Sequence, residues 1–356
     1  MPALTPAILN LCLIGAALWA APRFDEPVVA LSLGVLVAGF AQLLFQVPAL
    51  AGIGLVPRPR WAPGHEGVRR ILILMVPALF GVSVSQINLL LDTVLASLLP
   101  SGSVSWLYYS DRLTELPLGV FAIAIATVIL PTLSGQRARA DDPAFASTLA
   151  WAIRSVLLVA VPATLALAVL AEPLLATLFQ YGAFGAEDRT MAAASLRAYT
   201  LGLGAFMLVK VLAPGFYARE DMRTPVRVGI IAMISNMALN VAFVFPLMTM
   251  FNMGHVGLAL ATSVSAWLNA GLLYRGLRRE AVLPATTVPL QWLLQIGLAS
   301  TAMTLVLWWM LPGQVDWATW VWWERAIQLG VLCLTGLGVF AASLLVLGVR
   351  PADLRR

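Results

Sequence analysis

Charged side chains and cysteines are scarce in this 356-residue sequence. Asp, Glu, Lys and Arg make up 11% of the residues and hydrophobic residues 60%, whereas soluble domains are about one quarter charged. The two cysteines, Cys12 and Cys333, lie in apolar runs at opposite ends of the chain, which argues against a disulfide framework or a cysteine-ligated metal site. The composition therefore predicts a membrane protein with several spanning segments.

Catalytic and nucleotide-binding motifs are missing as well. The sequence contains no G-x-x-x-x-G-K-[ST] phosphate loop, no H-E-x-x-H pair, and no Cys or Ser with a credible His partner. Its two histidines, His65 and His255, fall in connecting segments, where we expect both to be solvated. These absences predict a protein that is not an enzyme and that would draw any transport energy from an ion gradient or the membrane potential.

Apolar runs long enough to cross a bilayer, about 20 residues each, divide the chain into about ten segments. They lie near residues 3–21, 27–48, 71–98, 103–133, 150–171, 190–216, 226–247, 254–274, 287–311 and 326–348. The apolar residues are continuous and do not alternate with a period of two, which indicates helices. The predicted fold is an all-α polytopic membrane protein with about ten transmembrane helices.

Arginine is distributed unevenly between alternate connectors. One set contains Arg58, Arg60, Arg69, Arg70, Arg137, Arg139, Arg219, Arg223, Arg227, Arg275, Arg278, Arg279, Arg350, Arg355 and Arg356. The other set contains Arg23, Arg189 and Arg325 beside seven acidic residues. The positive-inside rule then places both termini and the arginine-rich connectors in the cytoplasm. Topology accounts for the net charge of +5, and we expect no nucleic-acid partner.

The longest internal connector, near residues 51–70, is rich in Pro, Gly and Arg. This composition predicts a basic cytoplasmic linker between two helical bundles, close to the anionic inner leaflet. Tryptophans gather around the last external connector, as an interfacial belt or as the border of a lipid-facing groove between the last two helices. They are Trp308, Trp309, Trp317, Trp320, Trp322 and Trp323.

Two neighbouring predicted helices each carry one polar stripe, because residues three or four apart share a helix face. The stripes comprise Gly81, Ser85, Asn88 and Asp92 on the third helix, and Ser105, Tyr108, Arg112, Glu115 and Gly119 on the fourth. At a rise of 1.5 Å per residue, Asp92 and Arg112 lie ~10 and ~15 Å from the connector between these helices. The two charges therefore fall at a similar depth in the outer half of the bilayer.

Charges at this depth need a compensating environment, since each costs at least ~2.5 kcal/mol in hydrocarbon. Asp92, Asp111, Arg112 and Glu115 either neutralise one another between helices or line a wet, substrate-facing cavity. We favour the cavity, because buried ion pairs are weak evidence for stability and an arginine suits a phosphate or carboxylate. Pro117, one turn further on, predicts a helix kink beside the cavity.

A second polar group lies on two later segments. Asn236 and Asn240 are four residues apart, and Thr262 lies on the following helix. Together with Asp92, their oxygens could hold a small monovalent cation; the alternative is hydrogen bonding between helices. Lys210, near the inner end of its helix, is expected to extend to the headgroups.

Four long stretches resemble one known family. They are QINLLLDTVLASLLPSGSVSWLYYSDRLTELPLGVFAIAIATVILPTLS (86–134), FQYGAFGAED (179–188), LVKVLAPGFYAREDMRTPVR (208–227) and GLALATSVSAWLNAGLL (257–273). They are similar to the bacterial lipid II flippase family MurJ (MviN), of the multidrug/oligosaccharidyl-lipid/polysaccharide exporter superfamily. The resemblance implies a two-lobed, fourteen-helix fold around a central cavity. It also implies that lipid II, the undecaprenyl-pyrophosphate-linked peptidoglycan precursor, crosses the bacterial inner membrane by alternating access.

The resemblance also implies roles for the polar stripes. Arg112 falls where the family has a cavity arginine, which makes it a substrate-binding candidate together with its neighbours on the stripes. The candidates for substrate are Arg112, Asp111, Glu115, Asn88 and Tyr108, and those for a monovalent cation are Asp92, Asn236, Asn240 and Thr262. Apart from this cation no cofactor is expected.

The chain begins inside what resembles the family's fifth helix, so we expect the first four helices to be absent. Residues 1–50 would then be the remainder of an N-terminal lobe, followed by the linker at 51–70. Residues 71–285 would form the six-helix core of the C-terminal lobe, and 286–356 the last two helices, a candidate lipid-tail groove and a cytoplasmic tail. Expected partners are lipid II and membrane lipids.

Two alternatives to the flippase function stay open at this point. One is another exporter of the same superfamily, for O-antigen lipids or drugs. The other is a truncated, non-transporting membrane scaffold that contacts the cell-wall synthesis machinery.

Overall fold

The computed structural model describes residues 5–52, 54, 65–284, 287–312, 317 and 319–349, with backbone only for Arg70 and residues 73–85. These residues form helices and no strands. The helices are α1 (Thr5–Gly15), α2 (Pro27–Gly52), α3 (Glu66–Ser97), α4 (Ser103–Pro117), α5 (Ile123–Ala138), α6 (Asp142–Val169), α7 (Ala171–Leu178), α8 (Ala186–Tyr217), α9 (Arg223–Phe251), α10 (Gly254–Arg279), α11 (Leu290–Met310) and α12 (Trp322–Val346). The predicted all-α fold is confirmed.

Nine helical segments in the described part of the chain are long and apolar enough to span a membrane, with α4 and α5 counted as one. The remaining predicted segment, 71–98, coincides with α3. Between α4 and α5 lies a π-helical turn, Leu118–Ala122, directly after the predicted kink position Pro117. Proline lacks an amide hydrogen and disturbs the regular α-helical bonding, and π turns often occur at functional sites.

The chain divides into two compact units, Met1–Met75 and Val76–Arg356. In the first unit, the helical turn that follows α1 packs closely against α2 through small residues: a Cβ atom on Gly34 would lie 2.6 Å from Cβ of Ala16. Small residues allow this approach between apolar helices. The predicted linker at 51–70 lies largely outside the described residues, and the four-segment division of the chain stays a prediction.

In the second unit, the largest apolar core is formed by α5, α6, α8 and α10. Leu149, Leu212, Phe216 and Leu277 are almost completely buried there. A second core, which includes the fully buried Leu332, joins α11 and α12 to α6 and α7. The first core thus holds α8 and α10 against α5 and α6, and the second holds α11 and α12 against α6 and α7.

The connectors of the second unit form two groups. At the "Trp106 end", the α3–α4 and α7–α8 connectors meet, since Trp106 donates a hydrogen bond to Asp188. The α9–α10 connector belongs to the same end, because a Cβ atom on Gly254 would lie 2.8 Å from Leu99. At the "Arg139 end", the α5–α6, α8–α9 and α10–α11 connectors meet. A hydrogen-bonded ion pair joins Arg219, after α8, to Glu280, after α10.

Candidate functional site

A cavity of about 340 Å³ opens within the second unit. This volume lies at the lower end of the range usual for small-molecule sites, roughly 300–1,000 Å³. Its wall comprises Asn88, Asp111, Thr114, Glu115, Leu118, Phe206, Val209, Lys210, Gly229, Ala232, Met233, Asn236, Thr262, Ser265, Ala266 and Asn269. The cavity therefore brings together polar residues from α3, α4, α8, α9 and α10.

The charged part of the wall comes from α4 and α8. Asp111, Glu115 and Lys210 line the cavity, whereas Arg112 does not. Arg112 instead donates from Nη1 to Glu115 Oε2 at 2.6 Å, and both side chains are about half exposed. Its guanidinium also lies 4.9 Å from the ring centre of Tyr108, within cation–π range. Arg112 is thus tethered to a cavity-lining carboxylate without itself forming the wall.

Lys210, which was expected to extend to the headgroups, is one of the residues that line the cavity. Lys210 shares the wall with Phe206 and Val209, which precede it by four and one residues on α8. A lone lysine inside a long apolar run was the available signal. Asn269, on α10, also lines the cavity and was not singled out from the sequence.

The predicted cation ligands form one hydrogen-bonded cluster beside the cavity. Asn240 donates to Asp92 Oδ1 at 2.7 Å, and Asn88 donates to Asp92 Oδ2 at 3.2 Å. Asn240 also donates to Asn236 Oδ1 at 3.1 Å, and Asn236 reaches Thr262 Oγ1 at 3.4 Å. Both oxygens of the Asp92 carboxylate thus accept amide hydrogens, which satisfies a charged group inside an apolar bundle.

The amides of this cluster determine whether it can hold a cation. The amide of Asn236 also fits in the reverse orientation, donating to Asp92 Oδ1 at 3.2 Å and accepting from the Thr262 amide at 3.2 Å. Asn240 Oδ1 is buried and has no hydrogen-bond partner. Across the described residues no three His, Cys, Asp or Glu side chains form a metal-binding group. Amide and hydroxyl oxygens would therefore have to supply most of the ligands.

A packed aromatic cluster closes the Trp106 end. The rings of Trp106 and His255 are edge to face with centres 4.8 Å apart, and Trp106 Nε1 donates to Asp188 Oδ1 at 2.7 Å. His255 is 0% exposed, and its Nε2 lies 3.3 Å from the Met191 carbonyl oxygen. The expectation that His255 is solvated was wrong. It lies in the first turn of α10, where packing against Trp106 excludes water.

Comparisons with known proteins show the family to which this chain belongs. Residues 1–327 match the sequence profile of the family described as "Lipid II flippase MurJ". The chain belongs to the MurJ family. It is 48% identical to the probable lipid II flippase MurJ of Vibrio cholerae over 351 residues, covering 99% of this chain and 66% of that protein. It is 47% identical to the Haemophilus influenzae counterpart, covering 98% of this chain and 68% of the relative.

A solved structure supports the same family assignment. The structure described as lipid II flippase MurJ in an inward closed conformation matches with a TM-score of 0.74 and 25% identity, covering 96% of this chain and 66% of that one. The resemblance found in the sequence is confirmed, and the chain spans about two thirds of the length of these MurJ relatives. Family and apolar helices together identify a multi-pass protein of the bacterial inner membrane.

Proposed function

We propose that this chain moves lipid II from the inner to the outer leaflet of the bacterial inner membrane by alternating access. It would act as a transporter and not as an enzyme, in peptidoglycan synthesis. The observation that carries the proposal is the polar cavity inside an apolar helical unit, with Asp111, Glu115 and Lys210 on its wall. Since a charge facing lipid costs at least ~2.5 kcal/mol, a wet cavity for a polar headgroup accounts for these residues.

The geometry suggests how a pyrophosphate would be held. The Arg112–Glu115 pair is about half exposed on both sides, and pairs of this kind contribute only about 0.2–1 kcal/mol. A hydrogen bond from a guanidinium to phosphate contributes about 1.5–3 kcal/mol and can be bidentate. A pyrophosphate can therefore displace Glu115 from Arg112 at little cost. Lys210, on the cavity wall, would supply the second cation.

The distribution of arginine supports an orientation for this cycle. The Arg139 end carries Arg137, Arg139, Arg219, Arg223, Arg278 and Arg279 on or beside its connectors. Under the positive-inside rule this end faces the cytoplasm, as do both termini. The Trp106 end then faces outward, and lipid II enters the cavity from the side of the Arg139 end.

A monovalent cation is the second element of the proposal. Asp92, Asn236, Asn240 and Thr262 would hold it through hard oxygen ligands, which suit such ions. The unpartnered oxygen of Asn240 supports this assignment, since a buried acceptor without a donor is uncommon. When bound, the cation would supply positive charge beside Asp92 and so link the state of the cluster to an ion gradient.

The test measures transport of a fluorescent lipid II analogue across proteoliposomes and growth rescue of a flippase-depleted strain. The protein is used as the 356-residue chain and, separately, with the codons preceding Met1 translated. Arg112→Gln should abolish both activities. Arg137→Gln is the matched control, because Arg137 also forms an exposed ion pair, with Asp142, but neither of these residues lines the cavity.

Each outcome of this experiment separates the alternatives. Undiminished transport by Arg112→Gln would reject the role of Arg112. Preferential transport of an O-antigen lipid or of drugs would favour another exporter of the superfamily. If neither form of the protein transported any substrate but it co-purified with cell-wall synthesis proteins, the scaffold function would replace the flippase function.

A further inference from the structure

A second, smaller pocket lies at the Trp106 end of the second unit. Its volume is about 90 Å³, and α6, α7, α8 and the segment that follows α11 form its wall. It shares no described lining residue with the central cavity. A cavity of ~10–15 Å³ is enough to hold one water. The pocket is therefore large enough for a group the size of a phosphate.

Two of the residues that line this pocket each have a buried hydrogen-bond donor without an acceptor. Arg189 is 6% exposed; its Nη1 donates to Gln180 Oε1 at 3.1 Å, but its Nε has no partner. Trp317 is 3% exposed, and its indole Nε1 has no partner either. Buried polar atoms nearly always have hydrogen-bond partners. A ligand that accepts hydrogen bonds from these two lining residues would satisfy both orphaned donors.

The third polar element of the wall is an ion pair with an unused acceptor. Arg197 donates from Nη2 to Glu172 Oε1 at 3.0 Å, while Glu172 Oε2 is buried without a donor. Two guanidinium groups and one carboxylate, those of Arg189, Arg197 and Glu172, leave the pocket with one net positive charge. The ligand should therefore present an anionic group to the guanidiniums and a hydrogen-bond donor to Glu172.

We propose that this pocket binds a phosphate group that carries its own hydrogen-bond donor. The phosphate oxygens would accept from Arg189 Nε and Trp317 Nε1, and the donor would reach Glu172 Oε2. A phospholipid headgroup fits this chemistry through the ammonium of phosphatidylethanolamine or the hydroxyls of phosphatidylglycerol. Protonated inorganic phosphate fits it equally. The site does not depend on transport of lipid II.

Native mass spectrometry of the 356-residue chain in detergent tests the proposal. Phosphatidylethanolamine and phosphatidylglycerol should bind, whereas diacylglycerol, which lacks the phosphate, should not. Arg189→Gln should weaken this binding about tenfold or more, and Trp317→Phe, which removes only the N–H, severalfold. Trp309→Phe is the matched control, because Trp309 is 84% exposed, and it should bind like the parent. Thermal unfolding of each variant establishes that it is folded.

A further variant and a competition assay identify the ligand. Glu172→Gln removes the negatively charged acceptor. Sulfate, which has no hydrogen-bond donor, should therefore bind the variant more tightly than the parent protein. If Glu172 had only a structural role, its substitution would not increase sulfate binding. Loss of bound lipid on adding millimolar inorganic phosphate would assign the pocket to free phosphate, and its retention to lipid headgroups. Equal binding of diacylglycerol, or unchanged binding by both Arg189→Gln and Trp317→Phe, would overturn the proposal.

Discussion

Gly257, on α10, is a position where the structure leaves no room for a side chain. A Cβ atom at this position would lie 2.8 Å from backbone atoms of Phe243 and Val244 on α9. Because these are backbone atoms, no side-chain rotation can relieve the clash, and α9 and α10 would have to move apart. Overpacking of this kind costs about 1–3 kcal/mol, which outweighs the roughly 1 kcal/mol that alanine gains over glycine in a helix interior.

The matched control lies on the same helix. A Cβ atom on Gly271 would have nothing within 4 Å, so Gly271→Ala should leave stability unchanged or raise it by up to ~1 kcal/mol. In thermal unfolding of the detergent-solubilised chain, Gly257→Ala should lower the midpoint by several degrees, since ~1 kcal/mol corresponds to about 2–4 °C in domains of 150–250 residues. A midpoint for Gly257→Ala equal to or above that of Gly271→Ala would refute the close backbone approach of α9 and α10.

Two further predictions concern carboxylates. If Asp92 holds a cation, Na⁺ or Li⁺ should raise the unfolding temperature more than choline does at equal ionic strength. Asp92→Asn should remove this difference, whereas Asp142→Asn, at an exposed carboxylate, should keep it. The absence of an ion preference in the parent protein would contradict the prediction. Asp221 accepts hydrogen bonds from the Arg223 and Thr224 amides, both at 3.0 Å. Burial raises the pKa of this carboxyl group. The hydrogen bonds from these amides and from the Thr224 side chain, together with the Arg219 charge, outweigh burial and lower the pKa below 3.8. This carboxylate should therefore stabilise the fold by about 1 kcal/mol above pH 4, and the deficit of Asp221→Ala in thermal unfolding should shrink as the pH falls below the pKa of the folded state. A deficit that is the same at pH 3 and pH 7 would show that Asp221 acts without its charge.

Much of the fold could be predicted from hydropathy, because spanning helices must satisfy their backbone groups internally and therefore appear as long apolar runs. The short helix α7 (Ala171–Leu178) was missed. Eight residues are too few to span, and this helix exists because Leu175 and Ala176 are completely buried against its neighbours. The burial of His255 escaped prediction for the same reason. Both the formation of α7 and the burial of His255 depend on tertiary packing at a helix end, which leaves no periodic pattern in the sequence.

For the candidate sites, the sequence predicts which residues share a helix face but not which residues they contact. Helical spacing placed Arg112 and Glu115 on one face, but the same spacing fits a direct ion pair and a shared cavity equally well. The structure contains the ion pair. It also places Lys210 of α8, which follows Glu115 by 95 residues in the sequence, on the cavity wall. The packing of α8 against α4 brings the cation of Lys210 to the wall that Glu115 lines. For that reason Glu115, and not Arg112 alone, should govern how firmly an anionic headgroup is held. Without the Glu115 charge, Arg112 would have no ion-pair partner in the empty state. An anionic headgroup would then bind Arg112 without first displacing Glu115.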